Sequence, residues 1–271
     1  MEMVVCIKQV PMVSELPWDP ATGTLKRDLA EGMMNPACRH ALEAALQLKA
    51  RHGGRITALT MGPPMAEEVL RQALALGADQ GFLISDPAMA GSDTFVTSFI
   101  LATAVKKYCP NFDLVLCGCY TTDSETAQVG PQLAEELDLP AAAFVEEIAK
   151  KKNCLIVKRL SDGFIETLEM DLPGLVTVST RHYAPRYFSL AGIEDAFPDA
   201  APIRTLSAVD LGLERGSIGV QASPTRIVNV YTSRTEKQNV ILRGAPKQIV
   251  EELLDRFGDR IGGAMGKDIE K

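Results

Sequence analysis

Before Pro140 the chain alternates short apolar runs with longer amphipathic stretches, four times over, and this alternation limits the fold more than any other feature. Met3 to Ile7, Arg55 to Met61, Gly81 to Ile84 and Asp113 to Cys117 read as strands. They are short, apolar runs of the kind a strand buried on both faces requires. The stretches between them read as helices. Asn35-Pro36 starts the first, because Asn caps free amides and Pro suits the first turn. Ala41, Leu42, Ala45, Leu46 and Leu48 give it an apolar face, and His52-Gly53-Gly54 ends it. A second helix carries Val69, Leu70, Ala73, Leu74 and Leu76 and stops at Gly77. A third runs from Asp93 to Lys107 with Phe95, Phe99, Ile100 and Ala104 inward, and a fourth from Glu125 to Leu137. Repeated strand–helix units predict an α/β fold: a doubly wound, mostly parallel sheet covered on both faces.

The pattern changes after Pro140. Phe144 to Ile148, Leu155 to Leu160 and Phe164 to Leu168 read as antiparallel additions, turned by Lys150-Lys151-Lys152-Asn153 and Ser161-Asp162-Gly163. Leu175 to Thr180 returns to a buried strand, and Trp18 to Leu25 looks like a hairpin. From Ala184 to Ala201 the chain is Pro-rich and poorly periodic. One short strand (Ile227 to Tyr231) and one amphipathic helix (Pro246 to Phe257) follow. We expect an α/β domain over residues 1–195 and a C-terminal arm over 196–271, which has few core residues of its own and should lie on a partner.

A net charge of −7 offers no basic face for nucleic acid, although backbone amides still bind small anions. No run of about 18 apolar residues exists to span a membrane. The opening Met1 to Lys8 lacks a basic leader, and the six cysteines are scattered, so reduced thiols in the cytoplasm are expected. Cys117 and Cys119 alternate on a strand, with no second pair at zinc spacing, so no metal site is expected.

Ligands bind a parallel sheet at the carboxyl ends of its strands. Four loops qualify: Lys8 to Pro11, Met61 to Pro64, Gly91 to Thr94, and Gly118 to Pro131. In the last, Gly118 permits a sharp turn, and Thr126, Gln128 and the first helical amides can face an anion. A polar loop before a capped helix has the same composition. Neither GxGxxG nor GxxxxGK[ST] occurs, and no Ser, His and Asp set recommends itself. No catalytic residue is assigned; a bound cofactor would carry any chemistry.

Several ordered motifs together resemble the beta subunit of electron transfer flavoproteins, over nearly the whole chain. They are Val5-Cys6-Ile7-Lys8-Gln9-Val10-Pro11, Asn35-Pro36, Thr60-Met61-Gly62-Pro63, Ala73 to Asp79, Gly91-Ser92-Asp93-Thr94, and Lys158 to Leu168 followed by Leu172 to Thr177. The resemblance implies a fold related to adenine nucleotide alpha hydrolases and a heterodimer with an alpha subunit that holds a mobile FAD. The beta subunit would hold a second adenine nucleotide: AMP in ordinary members, or FAD that accepts a hydride from NADH in electron-bifurcating members. The run Thr126-Ala127-Gln128-Val129-Gly130-Pro131 is similar to the bifurcating pattern. Asp123-Ser124-Glu125 departs from its usual Asp-Gly-Asp and favours AMP instead.

By the same resemblance, Cys6 and Lys8 lie beside adenine or ribose, and Asn35, Met61 and Gly62 line that pocket. Asp123, Thr126, Gln128, Val129 and Gly130 hold phosphate and ribitol, and Asp93 and Thr94 approach the flavin end. Leu190 matches an anchor that docks a flavin dehydrogenase. Bifurcation would add a low-potential acceptor such as ferredoxin. Many members follow the anchor with lysines, whereas this chain has Glu194-Asp195-Ala196-Phe197-Pro198-Asp199.

Overall fold

The computed structural model describes residues 1–12, 18–19, 24–25, 31–198, 200–226, 228 and 239–265. Two compact units divide the chain, Met1–Val228 and Asn229–Lys271. In the first, β1 (Glu2–Cys6) is followed by two small antiparallel ribbons: β2 (Gln9–Pro11) with β5 (Gly32–Met34), and β3 (Trp18–Asp19) with β4 (Thr24–Leu25). The expected hairpin from Trp18 to Leu25 is the latter. The remaining strands are β6 (Arg55–Met61), β7 (Gln80–Ile84), β8 (Leu114–Gly118), β9 (Ala141–Lys151), β10 (Cys154–Ser161), β11 (Phe164–Asp171), β12 (Gly174–Val178) and β13 (Ile203–Leu206).

With β1 they form a nine-stranded sheet in the order β11-β10-β9-β12-β8-β1-β6-β7-β13. Seven strands run parallel, from β9 through β13, and β10 with β11 forms the antiparallel addition. Strand alternation builds two cores. Met3, Val5 and Ile7 face α1 (Pro36–His52) and α2 (Glu67–Leu76), while Val4 and Cys6 face α3 (Thr94–Tyr108) and α4 (Val129–Leu137). The sheet is therefore wound on both faces, as the strand–helix alternation predicts.

Three local expectations differ. The fourth helix begins at Val129 rather than Glu125, because Glu125 and Ala127 adopt left-handed φ of 47° and 54° and cannot continue a helix. Phe95 is 49% exposed; the buried stripe of α3 runs through Val96, Ile100 and Ala104 instead. Residues assigned to the arm supply β13, which pairs with β7, followed by α6 (Ala208–Leu211) and α7 (Gly219–Ala222). The compact unit thus ends near Val228, not at residue 195. A short helix, α5 (Leu190–Ala196), interrupts the irregular stretch before β13. The strand expected at Ile227 to Tyr231 lies outside the described residues apart from Val228. The second unit contains α8 (Pro246–Met265), longer than the expected helix to Phe257.

Candidate functional site

β1 connects through α1 to β6 on one side, whereas β8 joins β1 on the other, so the winding reverses between β1 and β8. Crevices at such a reversal are the usual ligand sites of open parallel sheets. The chain leaves β1 at Ile7-Lys8 and leaves β8 at Gly118, and these two loops flank the crevice.

Asn35, just before α1, fastens the two loops together. Its backbone N–H donates to Lys8 O (2.8 Å), its Nδ2 donates to Tyr120 O (2.8 Å), and its Oδ1 accepts from Thr122 N (3.1 Å). The side chain is fully buried, so both ends of its amide are committed to the β8 loop. Asn35 begins α1 without a side-chain cap bond, which leaves the amide free for this clamp. Lys8 Nζ then reaches both oxygens of Asp123, at 2.9 and 2.8 Å. Asp123 is nearly inaccessible while Lys8 stays partly exposed, so the pair presents its cationic side.

Close packing sets the crevice walls. A Cβ on Gly118 would lie 2.7 Å from Ala37 C and Cys38 N, so only glycine lets the first turn of α1 press against the end of β8. A Cβ on Gly130 would lie 2.4 Å from Thr177 Cγ2, which seats the start of α4 on β12. Between these glycines the loop turns through left-handed Glu125 and Ala127. The amides of Thr126, Ala127 and Gln128 donate to no acceptor among the described residues. Those of Val129 and Gly130 are in the first turn of α4, where helical partners do not exist, and Pro131 has none to satisfy. A run of free amides at a helix amino end accepts an anion.

Thr94 Oγ1 lies 3.0 Å from Gln128 Oε1, so the amino end of α3 meets that of α4. Both oxygens of Asp93 are hydrogen-bonded. It caps α3 through Val96 N and accepts from Thr225 N and Oγ1, at 3.0 and 2.6 Å. Burial works to raise the Asp93 carboxyl, but the Thr225 and Val96 hydrogen bonds outweigh it and hold it below the usual range. Thr225 was invisible to sequence reasoning, since nothing local marks a partner 132 residues away. Met61 ends β6, and Gly62 just after it donates its N–H to Ile84 O. Cys6, at the end of β1, is buried against Cys117. Bonding to Cys6 and burial push the Cys117 thiol well up, so it stays protonated.

Leu190 opens α5 and is 82% exposed. Among the described residues, no three His, Cys, Asp or Glu are placed to hold a metal, and no helix is long and apolar enough to cross a membrane.

A doubly wound, mostly parallel sheet with unbonded loop amides at its switch point defines an α/β protein of the open-sheet class that takes ligands at the carboxyl ends of its strands. The chain belongs to the electron transfer flavoprotein family, whose domain matches residues 22–211. It is 40% identical over 261 residues to the electron transfer flavoprotein subunit beta of Thermoanaerobacterium thermosaccharolyticum, covering 96% of this chain and 99% of the relative. It is 41% identical over 234 residues to the caffeyl-CoA reductase-Etf complex subunit CarD of Acetobacterium woodii, covering 86% and 88%. It is 40% identical over 264 residues to the acryloyl-CoA reductase electron transfer subunit gamma of Anaerotignum propionicum, covering 95% and 98%. A beta subunit of this family works with an alpha subunit in electron transfer.

Proposed function

We propose that the switch-point crevice holds FAD and that the chain is the NADH-oxidising subunit of an electron-bifurcating flavoprotein. The observation that carries this reading is the run of free amides from Thr126 to Gly130, ahead of a Pro that needs none. A diphosphate requires more donors than a monophosphate, and this loop supplies five in sequence beside the Gln128 amide. FAD bound here would accept a hydride from NADH and send its two electrons separately, one to a low-potential acceptor such as ferredoxin and one through the alpha-subunit FAD to a dehydrogenase.

The chain's own residues bind and orient. Lys8 places positive charge at the mouth, while Asn35 and Asp123 fix the loop that carries the amides. Gly118 and Gly130 bring both helix amino ends against the sheet. Thr94 orients Gln128, and Met61 with Gly62 forms the far wall. The residues after Gly212 close over the start of α3 through Thr225. The C-terminal arm lies on the alpha subunit.

Leu190 serves as the docking anchor for a flavin dehydrogenase. Glu194 and Asp195 beside it reject partners that expect a basic loop, so the dehydrogenase differs from the usual acyl-CoA dehydrogenase surface or docks differently. Two relatives named for CoA-thioester reductases support a partner of that chemistry.

Ser124 and Glu125, where bifurcating members carry Gly and Asp, favour the second reading: a carrier whose crevice holds structural AMP. Releasing and counting the nucleotides of the purified heterodimer decides. Two FAD support the first reading; one FAD with one AMP refutes it.

A further inference from the structure

Five exposed or half-exposed apolar side chains lie in one short segment, Tyr187, Phe188, Leu190, Ile193 and Phe197, with Tyr187 93% exposed. A loose segment would fold them inward. This one is held from below at several points. A Cβ on Gly192 would lie 2.3 Å from Ala75 O, so α5 rests directly on the last turn of α2. Arg71, also on α2, donates through Nη1 to Ala196 O (3.2 Å) and Pro198 O (3.0 Å). Ala196 O lies at the end of α5, where no helical amide serves it, and Pro198 O just beyond also accepts from Ala201 N (3.0 Å). Glu67 orients the same guanidinium through Nε and Nη2, at 2.9 and 2.6 Å. Ser189 Oγ accepts from Gly192 N at the other end.

We infer that α5 is a preformed docking knob, latched to α2 by Arg71 and the Gly192–Ala75 contact, and that it fits a redox partner whose apolar socket is rimmed by Lys and Arg. The inference rests on the reading that Leu190 docks the dehydrogenase. The basic rim follows from Glu194 and Asp195, which stand on α5 beside the exposed Ile193. A rigid knob binds without ordering its own backbone on contact, which is the step that weakens flexible binding segments. Arg71 is thus a positioning residue, since it reaches the partner only through α5.

The test uses the intact heterodimer and titrates the dehydrogenase in steady-state electron transfer, with reduction of a small dye as a readout that needs no docking. Arg71→Met raises the dehydrogenase KM about tenfold, the scale of losing charge-assisted hydrogen bonds. Its kcat and dye reduction stay unchanged, and Arg71→Lys restores part of the loss. Gly192→Ala raises KM in the same way without altering any charge, and stands in if Arg71→Met fails to fold. Raising the salt concentration raises KM for the unaltered protein. A Leu190→Ala variant that raises KM while both latch variants behave as the parent overturns the latch. A KM indifferent to salt overturns the basic rim. A Leu190→Ala variant with unchanged KM defeats the docking reading itself.

Discussion

Replacing Gly130 by Ala should unseat the amino end of α4, and the structure names the atom responsible. The added Cβ would lie 2.4 Å from Thr177 Cγ2, about 1 Å inside ordinary carbon contact. Thr177 cannot simply rotate away. It is buried, and its Oγ1 accepts from the amide of Phe144, a residue at φ 56° in the irregular part of β9. Rotation would orphan that amide, and no rotation would leave the overlap, so α4 must shift. Overpacking of this kind costs about 1–3 kcal/mol. For a unit of this size that corresponds to a fall in Tm of about 3–10 °C. Thr177→Ser removes the offending methyl and keeps the hydroxyl for Phe144. Alone it should cost about 1 kcal/mol, one buried methyl. In the Gly130→Ala background it should be neutral or stabilising, a coupling of about 1 kcal/mol or more. Thermal unfolding of the four proteins of this cycle measures the coupling, and nucleotide content reports whether the amides of Val129 and Gly130 still face their ligand. Additive losses would refute the argument, because they would mean that Cβ and Cγ2 never meet.

Further predictions test the rest of the site. Asn35→Ala leaves Tyr120 O and Thr122 N without their partner and should cost about 2–4 kcal/mol, with loss of nucleotide; an unchanged urea midpoint would contradict the clamp. Asn35→Asp should be worse than Ala, since it buries a carboxylate facing Tyr120 O. Glu43 is buried on α1 and takes Arg186 Nε at 2.7 Å and Nη2 at 3.0 Å. Burial works to raise its carboxyl, but Arg186 and Gln47 outweigh it and hold it below the usual carboxylate range. A carboxylate depressed by folding adds stability above its unfolded pKa, and that stability is lost as pH falls through the folded value. Urea midpoints measured from pH 6 to pH 3 should therefore fall, and Glu43→Gln should flatten that fall. Lys8→Met should weaken nucleotide binding about tenfold, measured by reconstitution of the stripped heterodimer; unchanged affinity would remove Lys8 from the site.

What the sequence makes legible follows from the range of the forces involved. The strand ladder from β1 to β8 is written in local apolar periods, and so are the two faces of the sheet, because Met3, Val5 and Ile7 alternate with Val4 and Cys6. The start of α4 is not. Glu125 looks like a helix residue, and only the backbone shows it turned left-handed, ahead of amides that make no bond among the described residues. Glycine would have announced such a turn, and a loop built from Ser124, Glu125 and Ala127 hides it. β13 is hidden for a different reason. Two of its four residues are exposed, as an edge strand allows, and the strand carries too little apolar signal to separate it from the arm.

The same distinction reassigns the site residues. Asn35 and Asp93 are found from sequence because polar residues ahead of helices stand out. Their work is set by distant partners, Tyr120 and Thr122 for the one and Thr225 for the other. Both side chains hold loops in place. In the proposed site the anion is recognised by backbone amides, which any sequence supplies, in a loop that turns through Glu125 and Ala127. A site built this way tolerates side-chain change in the loop but not change in the residues that set its path. Ser124 and Glu125 can therefore stand in place of the usual Gly and Asp without closing the amide row, whereas a Cβ on Gly118 or Gly130 forces the backbone of α1 or the side chain of Thr177 to move.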